Sequence, residues 1–208
     1  MAGIGTGWKE VISSDEAGRH AEAARMMAAM QKRKDERFGT GRALHRKAVA
    51  AVRGKLRVLD GLPEHARHGL FATSGAHEVW VRLSNGAMDK QSNRRPDIRG
   101  FAMRVFGVDG EAALGGRTDH QDLSLINQTA FAFPDSRHFF GLVEAAGRSP
   151  GAVIGWMFKT FGLIGGFRQL KKLAATAGKP FTGFATEAFA SPLPISCGPA
   201  AEIGRAKG

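Results

Sequence analysis

The stretch His77-Glu78-Val79-Trp80-Val81-Arg82-Leu83-Ser84 constrains the fold more than any other. Val79, Val81 and Leu83 alternate with Trp80, Arg82 and Ser84, and a period of two puts the first set on one side of a strand and the second on the other. An arginine and a serine therefore share a face with a tryptophan. Arg99 to Phe106 gives a second such strand and Gln121 to Thr129 a third. Leu56-Arg57-Val58-Leu59, followed by Asp60-Gly61-Leu62-Pro63, reads as a further strand and a turn. Gly, Pro and Asn punctuate these runs without a helix after each one. The expected core is an antiparallel sheet or barrel within an α+β chain, not a doubly wound parallel sheet.

Helical patterns flank this core. Ser13-Ser14-Asp15-Glu16 has the form of a capping box, in which a serine and a glutamate three residues on satisfy each other's exposed amides. The helix it opens runs to about Phe38, with Ala17, Ala21, Ala24 and Ala28 as a small-residue face and Lys32, Arg33 and Lys34 at the negative pole of the dipole. This arm is expected to pack on the main body or on the partner subunit of a homo-oligomer. A short helix is expected from Glu64 to Gly69. Its His65 and His68 have no third ligand nearby and read as solvated. Pro134-Asp135 opens a helix with Phe139, Phe140, Leu142 and Val143 on its apolar side. From Pro150 to Ala177 a further helix, with Met157, Phe161, Ile164 and the Lys171-Lys172 pair, is expected to cover the sheet. The tail from Ser191 to Gly208 reads as turns and a loose end. The chain is thus expected to be a single domain, with an arm over 1–40, strands over 41–145, and covering helices and tail over 146–208.

Charge and cysteine content limit the partners. Thirty Lys and Arg against nineteen Asp and Glu give +11, which favours something anionic. The cations are scattered, however, and none of the stretches interleaves them with aromatics as a nucleic-acid platform requires, so no nucleic-acid partner is expected. Cys197 is the only cysteine, which excludes a disulfide framework and fits a reducing compartment. The first ten residues lack an apolar run of the signal-peptide kind. Gly151 to Phe167 is interrupted by Lys159 and rich in glycine, a poor membrane span. A cytoplasmic protein without a membrane partner is expected.

Motif chemistry narrows the site. H-E-x-x-H and the phosphate-binding G-x-x-x-x-G-K-[ST] are absent, and a zinc site would need dispersed histidines, so no metal ligands are assigned. Tyrosine is absent too, which excludes any mechanism needing a phenol from this polypeptide. What remains is Arg42-Ala43-Leu44-His45, a cation and an imidazole on one run, with Arg82, Ser84 and Asn127 displayed by the strands. Alone, His45 is as readily a core histidine as a base, and Arg42 a generic carboxylate clamp.

Taken in order, Arg42-Ala-Leu-His45, Val81-Arg82-Leu83-Ser84, Asp97-Ile98-Arg99-Gly100-Phe101-Ala102-Met103-Arg104 and Asp122-Leu-Ser-Leu-Ile-Asn127-Gln128-Thr129 resemble the successive signature blocks of the haem-containing catalase superfamily. The aromatic pair Phe139-Phe140 follows them, and the match covers roughly residues 40 to 145. The resemblance implies an incomplete catalase-type antiparallel barrel, with haem as cofactor and a peroxide as substrate. It makes His45 the distal base, Asn127 the group that polarises peroxide, and Ser84 the partner that fixes the imidazole. Arg42 and Arg82 become propionate partners, and Phe140 lies against the porphyrin. Family members continue to a helix with an arginine and, four residues later, the tyrosine that ligates iron. Here there is no tyrosine, Gln128 replaces a second asparagine, and Asn85-Gly86 replaces bulky residues after Ser84. Cys197 reads as an inert small residue. The expectation is a partial catalase-like chain that holds the distal half of a haem pocket and decomposes hydrogen peroxide or an organic hydroperoxide. The alternative is a complete small protein that binds haem or another flat acidic ligand without catalysis.

Overall fold

The computed structural model describes residues 13–112, 115–128, 133, 135–178 and 180–192. Four strands, β1 (Ala48–Val58), β2 (Gly75–Asn85), β3 (Arg99–Glu111) and β4 (Arg117–Ile126), form an antiparallel sheet in chain order. Among the described residues three helices accompany it: α1 (Glu16–Phe38), α2 (Ser136–Arg148) and α3 (Pro150–Ala177). The protein is therefore α+β, and its sheet is open, since β1 and β4 are not paired with each other.

Cross-strand register explains the two faces. Val79 lies opposite Val105, Val81 opposite Met103 and Leu83 opposite Phe101, while Leu123 and Leu125 extend the row through Met103 and Phe101. Directly opposed side chains share a face, so these residues form one apolar surface. Its centre, Val79, Val81 and Val105, is buried with Leu70 of a 3-10 turn spanning Gly69–Phe71. The opposite face is polar. Arg53 lies over the Trp80 ring at 4.8 Å, and Arg104 grips Asp122 with Nε to Oδ1 at 2.7 Å and Nη2 to Oδ2 at 2.6 Å. Beyond β4, Ala190 and Ile126 exchange two backbone hydrogen bonds of 2.9 Å, a single bridge that begins to widen the sheet.

Several expectations need correction. β1 starts at Ala48, well before Leu56, and pairs with β2 along its length; most of its residues are exposed, so no alternation betrayed it. The expected helix over Glu64 to Gly69 is instead two 3-10 turns, Glu64–Ala66 and Gly69–Phe71. β4 ends at Ile126, so Asn127 sits in the bend that follows. No capping box forms: Asp15 is the cap residue of α1, without a side-chain cap bond, and Ser13 Oγ accepts instead from Arg19 Nη2 at 2.6 Å. The alanine face of α1 is exposed, and Ala23 and Met30 are its buried residues. Met30 fills the space above Gly147, which seats the arm on α2. Asp135 does cap α2, accepting from the His138 amide at 2.9 Å; Pro134 lies outside the described residues, as do Thr129 and Cys197.

α3 differs most in role. It packs principally on α2, not on the sheet: Gly141 leaves room for Trp156, and the His138 and Phe161 rings stack at 5.3 Å. At Gly162 the backbone turns to φ 69° and ψ −179°, breaking the helix into two. Positive φ costs a glycine little, and here it lets the second half change direction.

Candidate functional site

Residues 39–47 carry no regular structure, yet they are held tightly. Arg46 is the anchor. Its side chain is fully buried, with Nη2 on Asp35 Oδ1 at 2.5 Å, a second bond to the Gly39 carbonyl, and Nη1 on the Arg42 carbonyl at 2.9 Å. The His45 and Arg46 amides donate to the carbonyls of Gly86 and Ala87 at 3.1 and 3.3 Å. Arg82, from the polar face of β2, donates to the His45 carbonyl at 2.6 Å.

These restraints hold His45 at φ 49°, the single described non-glycine residue with positive φ. Such a backbone costs roughly 1–3 kcal/mol, persists only where the surroundings impose it, and concentrates at functional sites. The imidazole Nδ1 lies 3.1 Å from Ser84 Oγ. Both groups sit over Gly100, where an added Cβ would fall 2.6 Å from His45 Nδ1 and 2.7 Å from Ser84 Oγ. The register pairs Ser84 with Gly100. Thus β2 supplies the hydroxyl and β3 supplies the space, and the Nδ1–Cε1 edge of the ring sits over Gly100.

Burial lowers the His45 pKa below its ordinary 6.5, helped by the Arg82 and Arg42 guanidiniums and opposed by Asp97. The folded protein therefore keeps this imidazole neutral where the unfolded chain would protonate it. The unfolded state then binds more protons just below pH 6.5, so stability present above that pH is lost on acidification through the lowered native value. Denaturation midpoints measured from pH 7.5 downwards are expected to fall in this window (~ pH 6.5 and below,), and less so in His45→Gln.

His45 lines a cavity of about 530 Å³ between the end of α1, the 86–98 loop and α2. Leu44, Ile98, Ile126, Phe139 and Leu142 make most of its wall apolar, with Lys34, Asp89 and Asp97 at polar positions. The other residues singled out from sequence divide. Arg42 and Arg82 line a neighbouring groove of about 330 Å³ on the polar sheet face with Trp80, Arg104 and Ser124. Arg104 is already committed to Asp122, whose carboxyl it holds below its ordinary value. Asn127 is buried; its Oδ1 accepts from the Arg99 amide at 2.7 Å and its Nδ2 donates to Glu187 at 3.1 Å. Phe140 lines a separate cleft of about 400 Å³ with Asp15, Arg19 and His20, and it is Phe139 that reaches the His45 cavity.

Sequence reasoning passed over Gly100, Arg46 and Glu187. Gly100 stood in a quoted block and Arg46 beside His45, but neither contact has a local signature. What fold and site define together is an α+β protein with a strained, neutral histidine over a sheet and beside an apolar cavity. A scan against known family models and a search of curated proteins both returned no match. No described helix is long and apolar enough to cross a membrane, and no group of three or more His, Cys, Asp or Glu able to hold a metal ion occurs among the described residues.

Proposed function

We propose that the chain is a catalase-like protein whose His45 cavity accepts haem and whose His45 acts as base toward a peroxide. The observation that carries this reading is the His45, Ser84 and Gly100 arrangement. It gives a neutral imidazole, a hydroxyl on one of its nitrogens and a glycine cradle that a Cβ would fill. Those residues fit one wall of a haem. The apolar lining suits a porphyrin face, and Arg42 and Arg82, cations in the adjoining groove, would meet its propionates. Haem, when bound, supplies the redox chemistry of peroxide cleavage. In this reading the four antiparallel strands, with the Ala190 bridge past β4, contribute to a catalase-type barrel, while the sheet itself is open.

The chain's own part is proton handling. With hydrogen on Nδ1 donated to Ser84 Oγ, the Nε2 lone pair is free to take a proton from one peroxide oxygen and return it to the other, which departs as water. A depressed pKa keeps that lone pair available near neutrality. Asn127, bonded to Arg99 and Glu187 and absent from the cavity lining, would have to turn toward the cavity to orient the substrate.

A second reading, a haem or acidic-ligand binding module without catalysis, is favoured by the absence of any tyrosine for the iron. Haemin added to the purified chain separates the two. The catalytic reading predicts a Soret band and oxygen release from peroxide above that of free haemin, with release lowered about 10²-fold or more in His45→Ala. Uptake without oxygen release supports the module. Absence of uptake contradicts both.

A further inference from the structure

The second half of α3 takes no part in this site. After the break at Gly162, Leu163, Ile164 and Phe167 are 77%, 81% and 69% exposed, the three most exposed large apolar side chains described. Arg168, Lys171 and Lys172 are exposed one turn further on. Spacings of three and four residues put both groups on one stripe. Gly166 is buried against the first half of the same helix, where a Cβ would come within 2.7 Å of Phe158, and the Phe167 ring meets that of Phe158 edge-on at 5.3 Å. Leu163 and Ile164 are the most exposed of the stripe, and Phe167 borders it from the Phe158 contact.

Charge selects the occupant. From Pro150 to Ala177 the helix carries Lys159, Arg168, Lys171 and Lys172 and neither Asp nor Glu. Two copies docked through this stripe would bring cations against cations, which is costly at an interface. An anionic bilayer matches both features: its acyl boundary takes the apolar turn, and its headgroups take cations that reach outward on long apolar stems.

We propose that the Leu163 to Lys172 segment seats the protein peripherally on anionic phospholipid, lying in the interface without crossing it. The test is flotation of the full chain with vesicles of phosphatidylcholine alone or mixed with phosphatidylserine. Binding is expected only to the mixed vesicles. The Leu163→Ser/Ile164→Ser/Phe167→Ser variant is expected to lower it at least ~tenfold, and Lys171→Glu/Lys172→Glu by a similar factor. Lys55→Glu/Arg57→Glu, an equal charge change on exposed positions of β1, is expected to leave it within about twofold. Circular dichroism checks that each variant is folded. The proposal is overturned by equal binding to neutral vesicles, by no binding, by a triple variant that binds like the parent, or by the β1 variant weakening binding as much as the α3 one. Self-association abolished by the triple variant, without vesicle binding, overturns it too.

Discussion

Asp35→Ala is expected to cost about 3–5 kcal/mol of folding stability, the usual consequence of removing one partner of a buried ion pair. The Arg46 side chain has no exposed surface. Without Asp35 its guanidinium would keep only the Gly39 and Arg42 carbonyls, and its Nε already lacks a partner. Neutral acceptors do not offset the desolvation of a full charge. The loss would reach the site, because Arg46 follows His45 directly and ties residues 39–47 to the end of α1. Denaturant unfolding measures the effect, and Asp35→Asn, which keeps one acceptor oxygen, should cost less. Lys34→Ala, removing the more exposed pair with Asp89, should cost about 1 kcal/mol or less. Equal costs for the two alanine variants would show that burial of Arg46 does not govern this junction.

Gly100→Ala is expected to destabilise by about 1–3 kcal/mol, the range for forcing one extra carbon into a packed site. The new Cβ would meet the His45 ring and the Ser84 hydroxyl at less than 3 Å. Neither can retreat easily: the ring is held by a strained backbone and Ser84 is on a paired central strand. The imidazole must lift off the sheet, so its titration should move toward an ordinary value as burial is lost. Gly110→Ala in the same strand has open space around the added carbon and is expected to be neutral or to stabilise slightly, by ~0.5 kcal/mol. A histidine titration by NMR alongside unfolding distinguishes displacement of His45 from a general loss of strand stability.

How much of this was legible depended on whether an effect is local. The faces of β2 and β3 could be read because each strand buries one side, so Val79, Val81 and Leu83 alternate with Trp80, Arg82 and Ser84. β1 could not, since most of its side chains are exposed and carry no alternation. The capping box failed because Ser13 Oγ bonds Arg19 and leaves Asp15 at the cap. His45 was legible as an imidazole near a cation, but its strain and its contact with Gly100 belong to tertiary structure. Arg46 reads as a surface cation, as arginines usually are, and only Asp35 arriving from α1 makes its burial tolerable. α3 reads as a covering helix by apolar content, while the turn at Gly162 decides which of those residues face outward. Phe139 and Phe140 are adjacent, and only the pose of α2 sends one into the His45 cavity and the other into the cleft against α1.

Whether the cavity beside His45 receives haem is decided by a haemin titration of cavity variants. Leu142→Trp would fill that cavity from α2, whereas His20→Trp fills the separate cleft lined by Phe140. Saturable Soret-band binding is expected from the parent and from His20→Trp, and is lost in Leu142→Trp while the circular dichroism spectrum stays unchanged. Haemin binding undiminished in Leu142→Trp would contradict a haem site beside His45.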